Sequence, residues 1–270
     1  MPLRSWIPDN IPLDRPSAAR MYDYALGGYH NFEIDRRAGD QVAAIFPDLP
    51  LALRANRAFM RRAVTFLVEQ GIDQFLDLGS GIPTVGNVHE VAQAHSPAAR
   101  VVYVDSDPIA VRHSELILQD NPNATVLQAD VRDPEFILDH PEARRLLDLS
   151  RPLAVMIVAL FHFVPDDAEA YHVVSAVRDA VASGSYLAIS HASTEGISRD
   201  LVQQMERAYG ASAIPFKFRS RAQLLPFFTG FDLIEPGLVY MPLWRPDDPD
   251  EVFLAEPERS LILGGVARKP

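Results

Sequence analysis

The sequence predicts an α/β fold, a doubly wound, seven-stranded and mostly parallel sheet with helices on both faces. Three observations predict it. Short apolar runs alternate with amphipathic stretches of helical length, the runs are apolar on both faces, and several end in an acidic or glycine-rich turn. Strands hidden on both sides are expected where helices cover a parallel sheet, and the alternation makes those helices the crossovers.

In chain order, residues 1–70 read as an N-terminal helical appendage, and residues 71–270 as the core. ARMYDYALGGYHNFEIDRRAGDQVAAIF suggests two short helices broken at Gly27-Gly28. Residues 51–70 then place Leu53, Phe59, Ala63, Phe66 and Leu67 at helical spacing, and Gly71 closes that helix as a C-terminal cap. The appendage reads either as packing or as a lid. Strands follow over residues 74–78, 100–104, 124–128, 153–159 and 185–190, with helices over 85–95 and 168–183 between them. Two more strands are expected within residues 231–240 and 260–268.

With 270 residues, 48% of them hydrophobic and 23% charged, the chain can bury a large core. No apolar run approaches the roughly 18 residues of a membrane helix, and MPLRSWIPDN lacks a leader's apolar stretch, so no membrane association and a cytoplasmic location are expected. The absence of cysteine removes disulfides, thiolate nucleophiles and Cys-ligated metals. Eight histidines show no ligand spacing, so no metal is expected. A net charge of -11 argues against a nucleic-acid partner. The pairs Arg61-Arg62 and Arg144-Arg145 read as exposed helix faces rather than a basic patch.

The chemistry concentrates at strand ends. Phe75-Leu-Asp77-Leu-Gly79-Ser-Gly81-Ile-Pro-Thr84 runs from a strand into a glycine-rich turn, where Gly79 and Gly81 let the backbone approach a ligand. A dinucleotide GxGxxG would need glycine at Thr84, whereas an acid followed by GxGxG is met at Asp77, Gly79 and Gly81, with Pro83 in the last place. The next strand ends at Asp105, followed by Ser106 and Asp107; Asp105 is placed to accept ribose hydroxyls, which nicotinamide and S-adenosylmethionine (SAM) cofactors share. Asp107 before Pro108 reads as a helix cap. A third strand runs into Asp130, Val131 and Arg132.

These residues resemble the class I SAM-dependent methyltransferases, whose sheet is Rossmann-like. The resemblance implies SAM as cofactor, with Asp130 meeting the adenine amino group and the Val131 amide a ring nitrogen. In the fourth segment, Ala159 and Leu160 would border the cofactor, and Phe161 and His162 would face the methyl acceptor. His162 reads as a general base or as pocket wall. The whole chain also resembles methyltransferase family 19, carried by ARMYDYALGGYHNFEIDR, ANRAFMRRAV, LDLGSGIPT, GNVHEVAQ and VVYVDSDP; the GxPT ending is typical there, and the family's acceptor is unassigned. Tyr22, Tyr24 and Asn31 belong to that signature and are candidates for substrate contact or lid. Arg57 could pair with the methionine carboxylate or form a surface ion pair. A small-molecule acceptor is the expectation; a binding-only SAM protein and a nicotinamide oxidoreductase are the alternatives. The sequence leaves oligomeric state open.

Overall fold

The computed structural model describes residues 14–83 and 86–270. Thr84 and Val85, expected in the glycine-rich turn and at the start of its helix, and residues 1–10, read for a leader, lie outside the described residues.

In chain order the elements are α1 (Ala18–Ala25), α2 (Glu33–Ile45), α3 (Leu49–Glu69), β1 (Gln74–Leu78), α4 (Val88–His95), β2 (Arg100–Asp105), α5 (Pro108–Leu118), β3 (Ala124–Gln128), α6 (Pro134–Asp139), α7 (Pro141–Leu146), β4 (Ala154–Val158), α8 (Asp167–Ala180), β5 (Tyr186–Ala192), α9 (Arg199–Ala211), α10 (Arg221–Leu224), β6 (Asp232–Leu233), β7 (Val239–Tyr240) and β8 (Ile262–Arg268). The sheet runs β3-β2-β1-β4-β5-β8-β6, with β7 also on β8. Pairing is parallel from β3 through β5, and β8 runs antiparallel to its neighbours β5, β6 and β7.

The count differs from the seven expected. The strand anticipated within residues 231–240 is two short strands on one edge of β8, paired as Asp232↔Arg268 and Val239↔Gly264, so an 8-stranded sheet fills seven positions. Pro236 and Gly237 lie between them, and proline cannot donate to a ladder.

Successive strand residues serve opposite faces. On one face Phe75, Val101, Met156 and Ala188 meet Phe59, Ala63, Phe66 and Leu67 of α3. On the other, Leu76, Val102, Val155 and Leu187 meet Ile137, Val173 and Val177. Each buried side chain of this size contributes roughly 1.5–3 kcal/mol, which is why such runs dictate a covered sheet. A third apolar cluster joins Met21, Val42 and Leu53 of α1 to α3 with Met205 and Tyr209 of α9, so the N-terminal helices close over the sheet beside β5.

One charge assignment is corrected. Arg62 is buried, not on an exposed face; it donates to the carbonyls of Trp244 at 2.9 Å and Met241 at 2.8 Å and pairs with Glu251 at 2.5 Å. It therefore ties α3 to the segment before β8. Among the described residues no helix is long and apolar enough to cross a membrane.

Candidate active site

Chain order in the sheet reverses between β1 and β4, and the turns leaving these two strands flank one crevice at the carboxyl edge, where doubly wound folds bind ligands. Past β1, Gly79 and Gly81 have φ of 72° and 66°. A Cβ on Gly79 would stand 2.4 Å from Leu160 Cδ1, whereas one on Gly81 would meet nothing within 4 Å. The first glycine lets the turn pack beneath the loop after β4; the second keeps backbone open to the crevice.

Asp105 stitches the first two turns together. Its Oδ2 accepts from the Gly81 amide at 2.7 Å and its Oδ1 from the Asp107 amide at 2.8 Å. Burial pushes its carboxyl up to about 6, although the backbone donors pull it down. Asp107 caps α5 through the Ile109 amide at 2.8 Å, as its place before Pro108 suggested, and also meets Arg20 of α1 at 3.4 Å. Arg20 in turn pairs with Asp35 of α2 at 2.9 Å, so a buried guanidinium latches both N-terminal helices to the turn after β2.

Asp77 is more strongly affected. Burial raises its carboxyl to about 7, against the pull of Arg57 and with a push from Asp105. The sign follows. A carboxyl whose folded pKa lies above its unfolded value near 4 contributes stability fully below that value and loses it as pH rises through the folded pKa. The stability advantage of the unliganded wild type over Asp77→Asn is therefore expected to shrink between about pH 4 and about pH 7. Paired thermal melts across that range check it, and a difference independent of pH would refute the assignment.

Three adjoining cavities occupy the crevice. The central cleft, about 210 Å³, is lined by Tyr22, Asn56, Arg57, Asp77, the Gly79–Gly81 turn, Asp105, Ser106 and Ala159. An outer lobe of about 300 Å³ shares Asp105 and Ser106 and continues to Asp130 and Val131. An inner chamber of about 60 Å³ shares Tyr22, Ala159 and Phe163 with the cleft and ends on His162. Asp77, Gly79, Gly81, Asp105, Ser106, Asp130, Val131, Ala159, Arg57, Tyr22 and His162 are thus brought to one connected space.

The donors and acceptors in this space suit an adenosyl amino acid. The Ser80 hydroxyl is buried without a hydrogen-bond partner, and the Val131 amide meets no acceptor among the described residues. Asp105 retains acceptor capacity beyond its two backbone bonds. Arg57 donates to the Gly86 carbonyl at 3.1 Å and Asn87 Oδ1 at 3.2 Å while lining the cleft. Asp130 is held by Arg132, whose Nε lies 3.0 Å from its Oδ1 and Nη2 2.5 Å from its Oδ2, and this pairing keeps the carboxyl below the usual range.

Ala159 sits at the junction of cleft and chamber with φ of 55°, a left-handed conformation that costs a non-glycine residue on the order of 1–2 kcal/mol. A chain of hydrogen bonds fixes it. The Ala159 amide donates to Ser190 Oγ at 2.9 Å, Ser190 Oγ to Asn56 Oδ1 at 2.6 Å, and Asn56 Nδ2 to the Tyr22 hydroxyl at 3.1 Å. Tyr22 finally donates to the Leu53 carbonyl at 3.3 Å, and burial raises its pKa, so it stays protonated.

His162 is buried, and burial, His191 and Arg219 hold its pKa well below the usual histidine value. Its Nδ1 accepts from the Ala192 amide at 3.5 Å, which leaves the proton of the neutral ring on Nε2. This favours a hydrogen-bond donor over a general base.

Three candidates are not brought to the crevice. Phe161 is fully buried, 5.2 Å from the Phe227 ring, because residues Phe161–Phe163 form a 3-10 turn that carries Phe163 into the chamber instead. Tyr24 donates to Asp40 at 2.8 Å, away from the cavities. Asn31 braces the Gly27-Gly28 turn through Asp23 Oδ2 at 2.8 Å and the Gly28 carbonyl at 2.9 Å. Sequence reasoning passed over Asn56, Ser190, Phe163 and Arg219. Asn56 alone left a signal, a polar residue three positions from both Leu53 and Phe59 on an apolar stripe.

A sheet in which only β8 is reversed, with carboxylates at the carboxyl ends of β1, β2 and β3 gathered along one crevice, defines a SAM-dependent methyltransferase of class I fold. The chain belongs to methyltransferase family 19, the S-adenosyl methyltransferases, whose family model matches residues 4–270. It is similar to a candidate methyltransferase from Thermobifida fusca YX, with 43% identity over 98% of this chain and 99% of the other and a TM-score of 0.91. It is similar also to a DUF574 family protein from Streptomyces avermitilis MA-4680, with 42% identity over 95% and 98% of the two chains and a TM-score of 0.90. Human N-acetylserotonin methyltransferase, solved with SAM, shares the fold at 13% identity and a TM-score of 0.50 over 92% of this chain and 62% of its own. A comparison with curated proteins gives no match.

Proposed function

We propose that this methyltransferase acts on a small-molecule acceptor held in the inner chamber, with α1 and α2 of the N-terminal appendage serving as its lid over the core of residues 71–270. The observation that carries the reading is the junction itself. Tyr22, Ala159 and Phe163 line both the chamber and the cleft, so an acceptor in one faces a cofactor in the other.

When bound, SAM supplies an electrophilic methyl carbon and a neutral thioether leaving group. The protein's part is binding and alignment. Arg57 would hold the methionine carboxylate and Asp77 the ammonium; Asp105 and Ser106 take the ribose, and Asp130 with the Val131 amide takes the adenine. The backbone at Gly79 and Gly81 admits the cofactor closely, and the left-handed Ala159 fixes the wall beside the reacting atoms. The acceptor's lone pair forms the new bond to carbon, the carbon–sulfur pair returns to sulfur, and the acceptor's proton leaves to water.

The chamber's enclosure and the chain's net charge of -11 both favour a small acceptor over a nucleic acid. Labelled methyl from SAM, offered with cell extract separated into small molecules, protein and nucleic acid, is expected in the small-molecule fraction. Label confined to either macromolecular fraction would overturn the proposal.

A further inference from the structure

Resting on that reading, we infer that the acceptor is an uncharged, single-ring aromatic molecule bearing an oxygen that accepts a hydrogen bond from His162 Nε2. Four features of the chamber lead there.

Among the described residues no Asp, Glu, Lys or Arg lines it. A charged ring would leave water for a site with no counter-charge, and burying an unpaired ion is strongly unfavourable. Aromatic faces dominate the far wall: Tyr209 and Phe216 are stacked at 4.2 Å and 5°, and Phe163 meets Phe216 edge-on at 5.5 Å. Such walls reward a flat apolar guest through dispersion and ring–ring contact.

Size limits the guest as well. The chamber's 60 Å³ is well below the roughly 150 Å³ apolar cavity that admits benzene. It opens past Tyr22 and Ala159 into the 210 Å³ cleft, which the cofactor fills, so a single ring with its reactive edge at the junction enters only as α1 and α2 shift outward, and a fused system would need a far larger shift.

The polar groups fix orientation. Ser260 Oγ donates to the Pro257 carbonyl at 2.7 Å, and Tyr22 already donates to Leu53. The side-chain donors left are the Tyr209 hydroxyl, which can also accept, and the Nε2–H of His162, whose Nδ1 is directed at the Ala192 amide. A neutral hydroxyl or carbonyl oxygen on the guest satisfies the His162 donor.

The test uses full-length protein saturated with S-adenosylhomocysteine and titrated calorimetrically with 4-methylphenol, 4-methylbenzoate and benzylamine as probes. The neutral phenol is expected to bind at least tenfold more tightly than either ion. His162→Phe is expected to weaken the phenol about tenfold and leave S-adenosylhomocysteine affinity unchanged, while His162→Gln, which keeps a donor, recovers most of the loss. An ion binding as tightly as the phenol, or a phenol indifferent to both substitutions, overturns the inference. If S-adenosylhomocysteine itself fails to bind, it is the methyltransferase reading of the crevice that fails.

Discussion

Arg219→Met is expected to lower the unfolding free energy by about 3 kcal/mol and the melting temperature by roughly 6–12 °C. The Arg219 guanidinium is fully buried and donates at 2.8 Å to each of four groups: the Phe161 carbonyl, the Val164 carbonyl, His191 Nε2 and Asp167 Oδ1. Methionine fills similar volume but leaves two buried carbonyls without donors, each costing about 1–3 kcal/mol. The pair with the partly exposed Asp167 adds little, because solvent screens it. His191 fits the arrangement: its Nδ1 donates to the Ala192 carbonyl at 2.7 Å, and burial with Arg219 alongside lowers its pKa to about 3, so its Nε2 lone pair is free to face the guanidinium.

The consequence for function separates clamp from mere filler. Arg219 grips both ends of the segment that carries His162 and Phe163 into the chamber; of the groups it bonds only Val164 borders the outer lobe, and none lines the central cleft. Acceptor KM should therefore rise several-fold in the variant while SAM affinity changes little. Arg219→Lys, which can reach only some of the four partners, should fall between the two. A variant melting with the wild type would show that the carbonyls find other donors.

Much of the sheet was legible because its causes are local. β1 to β5 are runs of apolar residues closed by turn signals, and the carboxylates lie at the strand ends, Asp77 and Asp105 within the last two residues of β1 and β2 and Asp130 two residues past β3. The divided edge at β6 and β7 was not, since two-residue strands have no periodicity of their own and exist only because β8 offers a partner. Arg62 misled for a related reason. Its sequence neighbours suggest solvent, and its burial depends on Trp244 and Glu251, far along the chain.

The crevice divided in the same way. Gly79, Gly81 and Asp105 announce themselves, but the chamber takes walls from α1, α2, α9 and the segment after it, and no window of sequence contains them. Phe161 and Phe163 exchanged roles because the chain passes from strand to 3-10 turn at that point, and the period that assigns faces changes with it. Asn56 is the instructive case. A carboxamide on an apolar helix stripe must find partners when buried, and its partners, Ser190 and Tyr22, lead directly to Ala159.

Asp105→Ala is expected to weaken SAM binding by about 1.5–3 kcal/mol, roughly 10- to 150-fold. The carboxylate is placed to take ribose hydroxyls, and it also holds the Gly81 amide at 2.7 Å and the Asp107 amide at 2.8 Å. Removing it loses the direct contact and frees the glycine turn against which the cofactor must lie. Asp105→Asn separates these effects. Its single carbonyl oxygen can keep one backbone amide, but its amide nitrogen cannot accept the other, so an intermediate loss is expected. Calorimetric titration of SAM into the three proteins measures the series. If ribose contact dominates, adenosine should lose affinity in parallel with SAM, whereas methionine binding should hardly change. An alanine variant that binds SAM within twofold of wild type would remove Asp105 from cofactor recognition and leave it a brace between two turns.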